Sequence, residues 1–267
     1  MPREGAGPDF IEALARGLEV IAAFPPGRPA LSLAEVAAAT GLARPTARRI
    51  LLTLAQLGYV RAVDGGFALT PRVLDLGVAH VRSQGLWDLA RPHMAALVER
   101  TRESCSVAQL DGSDVVYVAR VAVPKIVGLS VQIGTRFPAL PTSLGKVLLA
   151  ALPPDELDAV LAQPTRSGLV ARWRPDRAER DAALREVRAR GWALTDEQLA
   201  PGIRSVAAPL RDGAGRVVAA VNVNTHAAET PLERLLDEHL PLLLATAGEI
   251  SADIARLEAV PHTTVAI

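Results

Sequence analysis

The chain has 267 residues, 49% of them hydrophobic and 22% charged, which is the balance of ordinary globular protein with length enough for two domains. Its 29 Lys and Arg offset 29 Asp and Glu, so no global charge argues for a polyanionic partner and any such argument must rest on a local cluster. The single cysteine, Cys105, excludes an internal disulfide and a cysteine-rich metal site and suits a reducing compartment; it reads as a small buried hydrophobe in preference to a nucleophile.

A first helix is expected from about Asp9 to Phe24, with Phe10, Leu14, Ile21 and Phe24 on one face, before Pro25, Pro26 and Gly27 end it. This helix is expected to pack under the pair that follows and complete a three-helix core. Ser32 then precedes Leu33, Ala34 and Glu35, which is the pattern of a capping box opening a helix that ends near Thr40. Gly41 supplies the positive φ of a sharp turn. A second helix follows from about Arg44 to Leu57, with Pro45 in its first turn and Gly58 just beyond its end. Ala47, Ile50, Leu51, Leu54 and Leu57 form its apolar face, which leaves Thr46, Arg49 and Thr53 along one side and Arg48 on the other.

No acidic residue lies between Glu35 and Asp64, whereas Arg44, Arg48, Arg49 and Arg61 do. Two helices around a tight turn with a locally basic outer face have the outline of a helix-turn-helix. A phosphate backbone selects that charge pattern, arginine forks onto the edge of guanine, and threonine reaches phosphate or a thymine methyl. Tyr59 to Val63 and Phe67 to Leu69 look like strands joined through Asp64, Gly65 and Gly66, a hairpin that makes the motif a winged one. A plain structural hairpin of helices with a solvated arginine face is the alternative; caps, turn, wing and charge asymmetry agree on the DNA reader.

Pro71 opens another expected helix to about Arg82, with Val73, Leu74, Val78 and Val81 apolar, before Ser83, Gln84 and Gly85 break it. Such a stripe suits pairing with a second copy, or packing against the chain's own domains. A helix from Trp87 to Arg102 leads to strands at Cys105 to Leu110, Val115 to Val121 and Ile126 to Ile133. The loop Gly134 to Pro141 precedes a helix through Leu152, and helices are expected at about Asp155 to Gln163 and Asp176 to Arg190. Trp192 to Thr195, Ser205 to Leu210 and Arg216 to Thr225 read as strands, the last two joined by a hairpin turn at Asp212 to Gly215. A terminal helix from about Leu232 to Leu257 is expected to bend at Pro241, ahead of a loose tail. Strands flanked by helices around an antiparallel hairpin indicate an α+β domain. No stretch has the apolar length of a signal peptide or a membrane span, and the expected location is cytoplasmic.

The candidate chemistry thins quickly. Gly145 and Lys146 suggest a phosphate loop, but Leu140 and Val147 stand where that motif needs Gly and Ser or Thr. His80, His93, His226, His239 and His262 have no metal-ligand spacing, and no serine sits in a nucleophile elbow. No catalytic residue, metal or cofactor is therefore assigned. Free amides, Thr142 and Ser143 at a helix start after a Gly/Pro loop could hold a carboxylate, or could serve ordinary capping. Asn222 and Asn224 share one face of their strand, and Ser205 lies on the strand paired with it, as pocket lining or as a solvated face.

Ala15 to Leu18, Thr40 to Leu42, Thr46 to Leu51, Gly134 to Pro138, Thr142 to Lys146, Gly202 to Pro209 and Val221 to His226, in that order, resemble the IclR family of bacterial transcription regulators over nearly the whole chain. Leu86 to Leu89, Glu103 to Ser106 and Asn224 to His226 resemble its branch that controls breakdown of aromatic acids such as protocatechuate and 4-hydroxybenzoate. One departure is Ala43, where family members often place a capping Ser.

The resemblance implies a winged helix-turn-helix domain over residues 1–70, a linker helix over 71–85, a GAF-like effector-binding domain over 86–260 and a tail over 261–267. The expected protein is a ligand-responsive regulator of a catabolic operon and not an enzyme. It binds a double-stranded DNA operator through Arg44, Thr46, Arg48, Arg49 and Thr53, acts as a homodimer or homotetramer, and takes a small, aromatic carboxylate. By position, the family's ligand contacts fall at Ser143, Gly145, Asp196, Ser205, Asn222 and Asn224. Two rivals are an acid-binding enzyme with a winged targeting module, which would need a nucleophile and base that cannot be assembled, and a protein-binding winged module, which would not need the arginines.

Overall fold

The computed structural model describes residues 7, 9–25, 27–76, 86–124 and 131–259. Contacts divide the chain into two units, residues 1–83 and 84–267.

In the first unit, α1 (Glu12–Ala22), α2 (Leu33–Thr40) and α3 (Arg44–Gln56) surround Val20, Val36, Ala47, Leu51 and Leu54, all buried. The α1 face differs from the sequence expectation. The helix starts only at Glu12, so Phe10 precedes it, and Leu14 and Leu18 are more than half exposed at 60% and 53%, while Val20 is fully enclosed and Ile21 and Phe24 pack beside it. At 100° per residue Leu14 and Leu18 lie across the helix from Val20.

The start of α2 is locally determined. Ser32 Oγ accepts from the Glu35 amide at 3.3 Å, and Glu35 accepts from the Ser32 amide at 2.8 Å, closing the capping box. Gly41 ends the helix at φ +66° and Gly58 follows α3 at +80°, conformations that a Cβ disfavours. The wing pairs β1 (Val60–Val63) with β2 (Gly66–Leu69) around Asp64 and Gly65. Leu31 adds a rung on the other edge of β2 by exchanging backbone hydrogen bonds with Phe67 at 2.8 and 2.9 Å, a contact with no local sequence signal. A Cβ on Gly66 would come within 2.2 Å of the Leu31 carbonyl oxygen, so this rung requires glycine.

Residues 73–76 are helical and mostly exposed. Val78, Val81 and the rest of the expected connector through Gly85 lie outside the described residues, as does the tail.

The second unit is an antiparallel six-stranded sheet. Its strands are β3 (Ser104–Asp111), β4 (Asp114–Val121), β5 (Arg136–Pro138), β6 (Ala193–Asp196), β7 (Ile203–Arg211) and β8 (Val217–His226), ordered β5-β4-β3-β8-β7-β6. The short β5 replaces part of the expected loop, whereas the strand expected at Ile126 to Ile133 falls mainly outside the described residues and 131–133 lead into a turn.

One sheet face is covered by α4 (Leu86–Thr101) and by the C-terminal helix, packing Met94, Leu97, Leu243 and Ile250 on Val107, Val206, Val221 and Val223. The other carries α5 (Ser143–Ala150), α6 (Pro154–Leu161) and α7 (Arg177–Arg190), packing Leu144, Leu149, Leu157 and Leu184 on Ala108, Ala207 and Ala220. Small alanines on that face let α5 approach closely. The C-terminal helix runs as α8 (Leu232–Arg234), a π turn at Leu235–His239 and α9 (Leu240–Ala259). The widened turn, in which the Leu240 amide bonds to Leu235 O, takes up the missing donor of Pro241 and is the form the expected bend assumes.

Because the Ser32 amide hydrogen bond, followed by the Arg28 guanidinium, holds the Glu35 carboxyl down to about 2 from 4.5, its contribution to stability is present above pH 4.5 and lost as the pH falls towards 2. Ser32→Ala is expected to cost about 1 kcal/mol, and Glu35→Gln to flatten acid sensitivity in that window, both read from thermal melts at stepped pH.

Candidate effector cavity and reading helix

On α3 the buried positions Ala47, Leu51 and Leu54 fix which side faces the core, and Arg44, Arg48, Arg49 and Thr53 emerge exposed, with Thr46 half-exposed. None of the three α3 arginines forms an ion pair among the described residues, although Arg28 does so with Glu35 in the same unit. The Thr53 hydroxyl donates back to Arg49 O at 2.9 Å. Ala43 at the N-cap supplies no side-chain hydrogen bond, and Pro45 removes one amide, so the Arg44 and Thr46 amides open the helix without a side-chain cap.

In the second unit the cavity is built from the first turn of α5 and the sheet face beneath it. Thr142 caps α5, its Oγ1 accepting from the Gly145 amide at 3.0 Å and its carbonyl from the Lys146 amide at 2.9 Å. The helix approaches so closely that a Cβ on Gly145 would lie 2.0 Å from Ala139 O. That approach sets Ser143 Oγ 2.7 Å from Ser205 Oγ, which is itself 2.8 Å from Thr195 Oγ1. Three buried hydroxyls thus share two hydrogen bonds, and at least one of their three protons remains for a further acceptor.

Around this chain Tyr117, Val131, Thr142, Leu199, Ile203, Asn222 and Asn224 complete a cavity of ≈ 20 Å³. Burial raises the Tyr117 phenol to about 12, so it lines the wall as a neutral group. Asn222 Oδ1 accepts from the Ser106 amide on the neighbouring strand at 3.1 Å.

Of the residues expected from the sequence, Ser143, Ser205, Asn222 and Asn224 are brought together here. Gly145 and Asp196 are not. The Gly145 amide is taken by Thr142, which narrows the idea of a helix start with free amides. Asp196 falls on the opposite face of its strand from Thr195, is exposed, and its carboxylate accepts from Arg204 Nε at 2.7 Å. Thr195 and Tyr117 were legible only with the register known, because period two cannot say which alternate residues face inwards.

Lys146, although buried, serves the edge of the sheet. Its ammonium donates to Leu194 O at 3.2 Å and to Gln198, and lies 4.5 Å from the Trp173 ring centroid, while burial pushes its pKa down to about 8.

A winged helix-turn-helix unit and an α+β unit enclosing a small polar-rimmed cavity define a bacterial regulator that reads DNA and senses a small molecule. The chain belongs to the IclR family of bacterial transcriptional regulators: residues 13–64 match the IclR helix-turn-helix domain and residues 78–252 the IclR C-terminal domain. It is 36% identical over 244 residues to the Pca regulon regulatory protein of Pseudomonas putida, covering 91% of this chain and 84% of that one. It is 33% identical over 247 residues to the p-hydroxybenzoate hydroxylase transcriptional activator of Acinetobacter baylyi, covering 91% of each. Its fold superposes on a transcriptional regulator from Rhodococcus sp. RHA1 with a TM-score of 0.80 at 48% identity, over 93% of this chain and 100% of the other. These relatives are regulators and not enzymes. Among the described residues no helix is long and apolar enough to cross a membrane.

Gly145→Ala is expected to destabilise the second unit by roughly 1–3 kcal/mol, because the added methyl meets backbone that must shift; a lowered melting temperature checks it, and an unchanged one would show that α5 can ride up at no cost.

Proposed function

We propose that the protein regulates an operon for aromatic-acid breakdown by coupling a small aromatic carboxylate, bound under α5, to operator occupancy by α3. The observation that carries this reading is the buried hydroxyl chain Ser143, Ser205 and Thr195, gathered with Asn222 and Asn224 around one cavity, since polar groups stay buried only where partners satisfy them. The aromatic character is supported by the relatives named for the Pca regulon and for p-hydroxybenzoate hydroxylase.

In this reading Ser143, Ser205, Asn222 and Asn224 hold the acid, while Gly145 sets the helix and Asp196 anchors the strand edge through Arg204. The cavity is too small for a benzene ring, so the acid must part α5 from the sheet, and its binding energy is spent partly on that displacement. The resulting coupling between sites is on the order of 1–3 kcal/mol. Arg44, Thr46, Arg48, Arg49 and Thr53 face the operator, with the uncapped amides of α3 available to a phosphate. The protein works in the cytoplasm as a homodimer or homotetramer, with residues 1–70 as reading head, 71–85 as linker and 86–260 as sensor. The exposed Leu14 and Leu18 support a further copy covering α1.

Arg49→Ala and Thr46→Ala are expected to weaken operator binding by roughly 1–3 kcal/mol each, with melting unchanged; gel-shift titration that returns wild-type affinity for both removes α3 from the account.

Calorimetry with 4-hydroxybenzoate is expected to show weaker binding to Ser143→Ala and Asn222→Ala, with operator affinity in the absence of the acid unaltered. Equal binding by wild type and both variants places the site elsewhere.

A further inference from the structure

We propose that Arg120 is the counter-ion for the effector's carboxylate, and that the buried hydroxyls of Ser143, Ser205 and Thr195 receive the opposite, polar end of the same ring. The inference rests on the reading that an aromatic carboxylate binds under α5 and goes further by fixing which end of it goes where.

Strand register brings Arg120 to that face. Ser106 is the cross-strand partner of both Arg120 and Asn222, so the three side chains form one row across β4, β3 and β8, and directly opposed residues point to the same side of a sheet. A bulge makes this possible: Val107 pairs with Ala119 and Ala108 with Tyr117, so Val118 is skipped and Tyr117 and Arg120, three apart, share a face. Tyr117 and Asn222 both line the cavity. Arg120 Nη1 donates to the Ser106 hydroxyl at 2.9 Å, which lays the guanidinium towards that wall.

The electrostatics are one-sided. Among the described residues no carboxylate pairs with Arg120, whereas each cation near the sheet edges has its own partner: Arg204 with Asp196, Arg136 with Asp111, and Lys146 with a carbonyl, an amide and a ring face. Arg120 is half-buried, and burial lowers its pKa with only the Tyr117 and Cys105 groups acting against it. Arginine stays charged regardless, so among the described residues its lost hydration is compensated by a neutral hydroxyl. An arriving carboxylate would supply two acceptors in the planar geometry that a guanidinium fork matches.

The spacing selects the ligand class. The Arg120 row ends at Ala207 on β7, two residues along from Ser205, so Arg120 and Ser205 stand about 16 Å apart between backbones, and the two side chains and their hydrogen bonds fill the ends of that span. Once α5 is parted from the sheet, that span takes one ring with polar groups at opposite positions, and the unspent hydroxyl proton at Ser143, Ser205 and Thr195 suits an oxygen acceptor at its far end. An acid with its carboxylate at the helix start would instead leave Arg120 unpaired.

The test uses the full chain and two probes of one shape, 4-hydroxybenzoate and neutral 4-hydroxybenzamide, titrated by calorimetry into wild type, Arg120→Met, Arg120→Lys and Ser205→Ala. Wild type is expected to prefer the acid by tenfold or more. Arg120→Met is expected to lose that preference by weakening the acid alone, Arg120→Lys to keep part of it, and Ser205→Ala to weaken acid and amide alike. Thermal melting of each variant reports that the second unit is folded, and if Arg120→Met does not fold, the Lys variant carries the comparison. An Arg120→Met protein that folds and still prefers the acid as wild type does overturns the inference and leaves the aromatic-acid reading standing. A wild-type protein that binds neither probe overturns that reading, and the inference falls with it.

Discussion

The sensing unit depends on how closely α5 lies on its sheet. Gly145 has no room for a side chain against the Ala139 carbonyl, and the alanines at 108, 207 and 220 are small enough to receive the helix. This contact brings the Ser143 hydroxyl within hydrogen-bonding reach of Ser205 and so closes the cavity roof. Thr142 satisfies the amides that such burial would leave stranded. A larger residue at any of these places would lift the helix, open the hydroxyl chain and admit water.

The sheet itself is a partition with unequal sides. Towards α4 and α9 the middle of the sheet is apolar, with Val107, Val206, Val221 and Val223 locked between strand and helix. Towards α5 it is apolar only under the helix body and becomes polar under the first turn, where Ser106, Asn222, Asn224, Ser205 and Thr195 gather. One face is therefore a rigid foundation. The other can exchange internal hydrogen bonds for bonds to a guest at little net cost, which is the property a sensor needs.

What the sequence discloses follows the range of the forces involved. The starts and stops of α2 and α3 depend on Ser32, Glu35, Gly41 and Gly58, each acting within four residues, and all were legible. Five of the six strands of the second unit are legible too, because turn residues bound them, whereas the three-residue β5 falls within the expected loop. The inward residues were legible only in part. Asn222 and Ser205 share a strand face in the sequence and meet at the cavity, whereas Asp196, which the family resemblance alone implies, lies on the exposed face of its strand and Thr195 faces inwards. Arg120 was invisible, since the bulge that turns it inwards lies in the pairing of β3 with β4 and not in either strand alone. The α1 face was misread for a related reason: an apolar stripe does not say whether its own domain or another surface covers it, and Leu14 and Leu18 face away from Val20.

The rung between Leu31 and Phe67 ties the segment entering α2 to the wing. Its two backbone hydrogen bonds, guarded by the Gly66 contact, mean that β2 cannot swing without dragging the start of α2 and with it the turn that aims α3. The reading helix and the wing thus form a caliper of fixed gauge. A duplex that meets helix and wing together therefore meets a fixed spacing, and any mismatch in groove width is taken up by the DNA and not by the head.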